Sequence, residues 1–162
     1  MKVLDVGCGD RKTEDALGID IVSLPGVDIV HDLNVFPWPL ESGSFDKVFM
    51  LNILEHLDDT IRIMKEVYRV LRPGGIVHIE VVYWNHKYTW SDPQHKHAFT
   101  DISWEFFTGK RKQYYTDYAF EMVSLVWQYD YHLKFIPKTL KRFLGIFLCN
   151  VIEGMEVELR KP

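Results

Sequence analysis

The first twenty residues restrict the fold more than any other stretch of this chain. Lys2-Val3-Leu4-Asp5-Val6 has the length and apolar content of a buried strand, and it runs straight into Gly7-Cys8-Gly9. A second strand-like run, Ala16 to Ile21, begins after only the segment Gly7 to Asp15. That segment has room for at most about one or two helical turns. The connection is therefore a stunted one between two short, nearly all-apolar strands. Strands of that kind belong in a mostly parallel sheet covered on both faces.

The rest of the chain continues the pattern. Val27 to His31 reads as a third strand, Pro37 and Pro39 mark an irregular connection, and Phe45 to Leu51 is an apolar run of strand length. Asp58 or Asp59 can cap a helix reaching about Leu71, with Ile61, Met64, Val67, Tyr68 and Leu71 on one face. Pro73-Gly74-Gly75 ends it, and Ile76 to Tyr83 is another strand. Residues 84–100 read as a loop rich in His, Trp and Tyr, and Asp101 to Thr108 as a short helix capped by Asp101. Phe120 to Phe135 has strand-like stretches, Lys138 to Asn150 reads as an amphipathic helix, and Val151 to Leu159 as a last strand. Two closing strands joined by a helix, one of them antiparallel, would complete a seven-stranded α/β sheet. No repeat or linker interrupts the chain, so residues 1–162 are expected to form one domain. Residues 1–83 would be its ligand-binding half, and 84–162 would carry a substrate loop and the closing strands.

Composition limits the setting and the partners. A net charge of −4 argues against a nucleic-acid partner, which calls for an excess of Lys and Arg. No apolar run is long enough to span a bilayer, and Asp5 interrupts the first apolar residues where a secretory signal would lie. Cys8 and Cys149 are too few for a disulfide framework, so a reducing, cytoplasmic location is expected.

Glycine at positions 7 and 9 permits positive φ and removes a Cβ that would hold a ligand off the backbone. In open parallel sheets such a turn lies at the carboxyl edge, near the switch point where ligands bind. Asp20 closes the second strand, where a carboxylate can accept hydrogen bonds from both hydroxyls of a ribose. Asp32 could reach an adenine amino group. A dinucleotide would need a helix N-terminus facing its pyrophosphate, and neither that helix nor the third glycine of the fingerprint is present. An adenosyl ligand without phosphate loses little by that.

With these residues the sequence resembles the class I S-adenosylmethionine-dependent methyltransferases. Val3-Leu4-Asp5-Val6-Gly7-Cys8-Gly9 is similar to their first motif, Gly18-Ile19-Asp20 to their ribose-binding acid, and His31-Asp32-Leu33 to their adenine-contacting segment. Phe45 to Asn52, followed by Leu54-Glu55-His56-Leu57, is similar to their fourth-strand motif, and Leu71-Arg72-Pro73-Gly74-Gly75 to the turn before strand five. Two further segments, His31-Asp32-Leu33-Asn34 with Pro37-Trp38-Pro39-Leu40 and Asp92-Pro93-Gln94-His95-Lys96-His97-Ala98-Phe99, resemble a short bacterial and archaeal subgroup of the type 11 kind. The resemblance implies a Rossmann-like fold with a shortened first βα unit and no N-terminal helix. It implies S-adenosylmethionine as cofactor, with S-adenosylhomocysteine as product. By the same resemblance, Asp5, Gly7, Cys8, Gly9, Asp20, Ile21, Asp32, Leu33, Leu51 and Asn52 would surround it.

The expected activity is methyl transfer to a small-molecule or sugar-containing acceptor. The alternative is a non-catalytic S-adenosylmethionine-binding module. Methyl transfer requires alignment and exclusion of water, and an oxygen or nitrogen acceptor also needs its proton removed. His95 is the candidate base and His97 the second, both in the loop after strand five. The competing reading has them orient that loop by hydrogen bonds. Grouping His86, His95, His97 and Asp92 as metal ligands matches no metal spacing, so no metal is expected. Glu55 and His56, at the start of a helix, read as structural. Cys8 reads as a small residue beside the ligand, and Arg11 and Lys12 either approach the methionine carboxylate or are solvated. Residues 133–151 join Lys134, Lys138, Lys141 and Arg142 to several aromatics and leucines. Covering the sheet is the first reading of that segment, with a dimer contact or a membrane surface as alternatives. A monomer or a homodimer fits the sequence equally.

Overall fold

Four buried residues, Val3–Val6, form β1, which lies next to the middle strand of the sheet. The computed structural model describes residues 1–111 and 116–162. The chain continues through β2 (Leu17–Asp20), β3 (Ile29–Val30) and β4 (Phe45–Leu51), a 3-10 turn at Leu54–His56, α1 (Thr60–Val70) and β5 (Leu71–Val82). It then passes through α2 (Lys87–Ser91), a 3-10 helix at Asp101–Phe106, β6 (Glu121–Tyr129), a 3-10 turn at Tyr131–Leu133, α3 (Lys138–Phe147) and β7 (Ile152–Arg160). The seven strands lie in the order β3-β2-β1-β4-β5-β7-β6. Every pairing among β1 to β5 is parallel, and β7 runs antiparallel to both of its neighbours. The expected mostly parallel seven-stranded sheet with one antiparallel closing strand is what forms. Its strand order reverses between β1 and β4, which places the switch point just beyond Val6.

Alternation explains the core. Val48 and Met50 of β4, Val77, Ile79 and Val81 of β5, and Met155, Val157 and Leu159 of β7 are all buried. The alternate residues Lys47, Phe49, His78, Glu80, Glu156 and Glu158 are half-buried; His78 lies 3.4 Å from both Glu80 and Glu158, and Glu156 accepts from Gln128 of β6. This is the period-two pattern of strands whose two faces differ in polarity. α1 supplies the opposing layer through Ile63, Met64, Val67 and Val70, with Ile61 and Tyr68 packed at its margin. The sequence places Leu71 on that helix, but the backbone turns extended at Leu71 to pair with Phe45. Asp59, not Asp58, is the N-cap: its carboxylate accepts from the Arg62 N–H at 3.0 Å.

Three further differences from the sequence reading have local causes. The aromatic loop holds α2, a single helical turn capped by His86, whose Nδ1 accepts from the Tyr88 N–H. No apolar periodicity marks so short a helix. The helix at 101 is capped by Thr100 and not Asp101, because Thr100 is extended and exchanges hydrogen bonds with Ser103 in a capping box. α3 stops at Phe147, short of the expected Asn150, and only Lys141 and Gly145 of it are buried. Gly145 is where it approaches β7: a Cβ there would lie 2.6 Å from Ile152 Cδ1. No helix among the described residues is long and apolar enough to cross a membrane.

Candidate functional site

Beyond the carboxyl ends of β1 to β4 lies a cleft of about 360 Å3, within the range of small-molecule sites. Its walls bring together Gly7, Asp20, Ile21, Asp32, Leu33 and Asn52, which the sequence singles out, with Asn34, Ile53, His56, Leu57 and Gln94. The chain reaches it through two unlike glycines. Gly7 has φ +70, and a Cβ there would meet Ile53 Cγ1 at 2.3 Å, so this glycine makes room for a wall residue of the cleft. Gly9 has φ +52 and nothing within 4 Å of its would-be Cβ, so open space adjoins the backbone there. The Gly9 N–H donates to Asp20 Oδ2 at 2.9 Å and the Val22 N–H to Oδ1 at 2.9 Å. Asp20 is thereby fixed at the rim with lone pairs to spare for a diol. Asn52 takes φ +51 at the end of β4, a left-handed conformation that Asn tolerates better than most residues. It turns the chain from the strand into the cleft wall.

The Asp32 side of the cleft is braced from behind. Asp32 Oδ1 accepts from the Asn34 backbone N–H, and Asn34 Oδ1 accepts from the Asp58 N–H. Trp38, 2% exposed, donates its indole N–H to the Leu33 carbonyl and its backbone N–H to Glu66 Oε2. Glu66 is gripped by Arg69, whose Nη2 lies 2.7 Å from Oε2 and whose guanidinium also reaches the Trp38 and Leu40 carbonyls. Burial alone would raise the Glu66 pKa. The Arg69 guanidinium and the Trp38 N–H outweigh it and hold the carboxyl below its ordinary range. The Pro-Trp-Pro segment is thus tied to α1, and through Leu33 it sets the wall of the cleft.

At the opposite side, His56 and His95 meet edge to face with ring centroids 4.6 Å apart. His56 belongs to the cleft wall, while His95 lines an adjoining depression with Tyr88, Ser91, Asp92 and Pro93. His95 Nδ1 lies 3.0 Å from the Thr89 carbonyl, so Nδ1 donates, and in the neutral ring Nε2 is the nitrogen that bears the lone pair. Burial, then the neighbouring His95, pushes the His56 pKa below the usual imidazole value, against the pull of Asp92. His56 is therefore a neutral ring at neutral pH. Glu55, 1% exposed, lies behind them, and neither carboxylate oxygen makes a hydrogen bond of normal geometry. Burial raises its pKa, opposed by its own backbone N–H, His95 and the Val82 N–H. The Glu55 carbonyl accepts from the N–H groups of Lys96 and His97, which fastens the 92–97 loop to the turn after β4.

The remaining sequence candidates take other places. Asp5 is 2% exposed and accepts from the Thr13 N–H at 2.7 Å, so it braces the stunted connection. Cys8 is buried with its Sγ toward Gly18 of β2; burial, Asp5 and Asp20 all push its thiol pKa up. Leu51 ends β4 partly exposed. Lys12 pairs with Asp28 at 2.7 Å, and Arg11 is exposed beside Asp10. His97 Nε2 bonds the Asp58 carbonyl and faces a different cavity, with Thr60, Phe99 and Phe106. His86 is wholly buried, 3.7 Å from Asp130, so the grouping of His86 and His97 with His95 does not form. Ligand atoms of His56, Asp92 and His95 do lie within 4.8 Å of one another, as do those of His78, Glu80 and Glu156. Among the described residues these two sets have the proximity to share a cation. Sequence reasoning placed His56 as structural and left Ile53 and Gln94 out of the site; the Leu-Glu-His run just after the Asn52 that closes β4 was the signal available for His56.

Comparison with known proteins agrees with this geometry. A family model described as a methyltransferase domain matches residues 1–133. The chain is 34% identical over 91 residues to a Mycolicibacterium smegmatis protein named "Probable S-adenosylmethionine-dependent methyltransferase", covering 46% of this chain and 35% of that protein. It is 30% identical over 111 residues to a ubiquinone biosynthesis O-methyltransferase of Pseudomonas putida, covering 53% of this chain and 46% of the relative. The chain thus matches less than half the length of these curated relatives. The solved structure of an S-adenosylmethionine-dependent methyltransferase from Archaeoglobus fulgidus superposes with a TM-score of 0.66 at 16% identity, over 99% of this chain and 86% of that one.

Proposed function

We propose that this chain, which belongs to the methyltransferase domain family, transfers a methyl group from S-adenosylmethionine to a hydroxyl oxygen of a small molecule, with His95 as general base. The observation that carries the reading is the contact between the His56 wall of the cleft and His95, whose Nδ1 is engaged by the Thr89 carbonyl so that Nε2 is the nitrogen available to take a proton. The cleft fits the cofactor. Asp20 offers carboxylate lone pairs at the rim, open space adjoins Gly9, and Asp32 stands beside Leu33 on the wall that Trp38 braces. S-adenosylmethionine, when bound, supplies a sulfonium methyl carbon open to displacement.

The chain's own residues divide the remaining work. His95 Nε2 accepts the acceptor's hydroxyl proton, and the Asp92 carboxylate within 4.8 Å stabilises the imidazolium that results. His56, whose pKa burial lowers, touches His95 from the cleft wall without adding a competing positive charge. An oxygen acceptor draws support from the O-methyltransferase among the relatives. The test is transfer of labelled methyl to a panel of simple catechols and hydroxylated sugars. His95→Gln should lower kcat by about 10²–10⁴ and abolish the ascending limb of the pH profile, with S-adenosylhomocysteine affinity unchanged. Labelled product on nitrogen or sulfur, or an unaltered pH profile in His95→Gln, overturns the assignment. Binding of S-adenosylhomocysteine with no transfer to any acceptor leaves the non-catalytic module as the reading.

A further inference from the structure

α3 is packed with its apolar face turned outward. The residues it buries are Lys141 and Gly145, one turn apart, with the Lys141 ammonium 5.3 Å from the centre of the Tyr129 ring. The opposite stripe carries Leu140, Phe143, Ile146 and Phe147, and the last three are 58%, 69% and 71% exposed. Phe143 and Phe147 already touch, with ring centroids 5.3 Å apart. The preceding turn extends the same surface through Tyr131 and Phe135, 70% and 88% exposed, with the Lys134 ammonium set over both rings. An apolar patch in which exposed aromatic and aliphatic side chains adjoin along one helix face and the turn before it marks an interaction surface.

Charge identifies the partner. Between Asp130 and Glu153 the sequence contains no acidic residue and carries Lys134, Lys138, Lys141 and Arg142, in a chain whose net charge is −4. A second copy docked on this same strip would bring two sets of Lys134, Lys138 and Arg142 into one interface with no acid in the strip to pair them. An anionic lipid surface satisfies both features at once: it accepts the aromatic stripe at the headgroup boundary and neutralises the cations. We infer that α3 and the turn before it form a docking surface for an anionic lipid bilayer. Arg142 and Ile146 also wall a cavity of about 290 Å3 floored by Tyr83, Trp84 and Trp127, so the docked face and that cavity share a side. The inference does not depend on the acceptor reading, because vesicle binding is measured without turnover.

The test is flotation of the full chain with vesicles of phosphatidylcholine alone and of phosphatidylcholine mixed with phosphatidylglycerol. Binding is expected to the anionic vesicles only and to fall steeply with salt. The pair Phe143→Ser with Phe147→Ser, and separately Lys134→Glu with Lys138→Glu, should each reduce the bound fraction at least about tenfold. Calorimetry with S-adenosylhomocysteine should give the wild-type affinity for both variants, which shows that they fold. Absence of binding by the wild type, or binding undiminished in both variants, overturns the inference. So does a wild-type dimer in sedimentation velocity that the Phe143→Ser, Phe147→Ser pair dissociates, since the occupant would then be a second copy.

Discussion

Gly7 and Gly9 sit two residues apart in one turn, and the structure gives them different jobs that a pair of alanine substitutions should separate. At Gly7 the backbone is left-handed, and an alanine there costs about 1–2 kcal/mol for that conformation alone. Its Cβ would also stand 2.3 Å from Ile53 Cγ1 and 2.6 Å from Cδ1, and relieving such overpacking costs about 1–3 kcal/mol. Gly7→Ala should therefore lose about 2–5 kcal/mol, and at this chain length the melting temperature should fall by about 4–20 °C. Gly9→Ala carries only the conformational part, about 1–2 kcal/mol, because nothing lies within 4 Å of the added carbon. That carbon enters the space beside the cleft, so S-adenosylhomocysteine affinity should drop at least about tenfold although the protein stays folded. Truncating the wall residue tests the mechanism: in the Gly7→Ala background, Ile53→Ala removes the two closest atoms and leaves Cβ at 2.9 Å. A double-mutant cycle by urea unfolding should give a favourable coupling of about 1–3 kcal/mol. Gly7→Ala within about 0.5 kcal/mol of wild type, or zero coupling to Ile53, refutes the packing argument. Unchanged ligand affinity in Gly9→Ala would refute the open approach.

Other perturbations probe the rim, the brace and the buried carboxyl. Asp20→Ala should weaken S-adenosylhomocysteine binding about 10-fold or more, the loss of one charged hydrogen bond, and equal affinity by calorimetry removes Asp20 from the site. Arg69→Met leaves Glu66 beside Trp38 without its cation; with the two side chains 27% and 11% exposed, a loss of about 2–3 kcal/mol is expected from urea unfolding. Because Glu66 is held below its ordinary pKa, its contribution is present above the unfolded-state value and disappears as pH falls through the folded one; in Arg69→Met that acid-side dependence should shrink. Glu55 has the opposite sign. Its raised pKa means that its stability contribution is full below about pH 4.5 and is lost as pH rises through the folded value. Glu55→Gln, which cannot ionise, should gain in melting temperature relative to wild type as pH is raised, and a constant difference across the range contradicts the assignment.

Much of this was written in the sequence because it rests on local pattern. β1 and β4 are strand-length runs rich in apolar residues, Asp59 stands one residue before its helix, and Gly7, Asp20, Asp32 and Asn52 each end or follow a strand, so one parallel sheet brings them to one edge. What was not legible depends on long-range placement. His56 reads as a structural residue at the start of a helix until the 92–97 loop, tied to the Glu55 carbonyl, lays His95 against it. Asp5 reads as a ligand contact, yet the stunted first connection gives its carboxylate a nearer donor in the Thr13 N–H. No spacing rule records that Ile53 fills the space a Cβ on Gly7 would need.

The α3 helix shows how far periodicity carries and where it ends. A stripe of Leu140, Phe143, Ile146 and Phe147 announces an amphipathic helix, and by default an apolar stripe faces the core. That default holds when the partner surface has apolar area to offer and space for large side chains. Here the approach to β7 is so close that Gly145 itself must be the contact, since any Cβ there would strike Ile152. The residue one turn earlier on the same side is Lys141, whose chain lies along the protein with its ammonium over Tyr129. With Gly145 and Lys141 inward, helical geometry sends the aromatic stripe outward, and the basic residues that flank it go with it. The direction of the helix was thus decided by one glycine and the strand beside it. That choice leaves the chain with an apolar, cationic surface beside the cavity of Tyr83 and Trp127, and vesicle flotation asks what that surface meets.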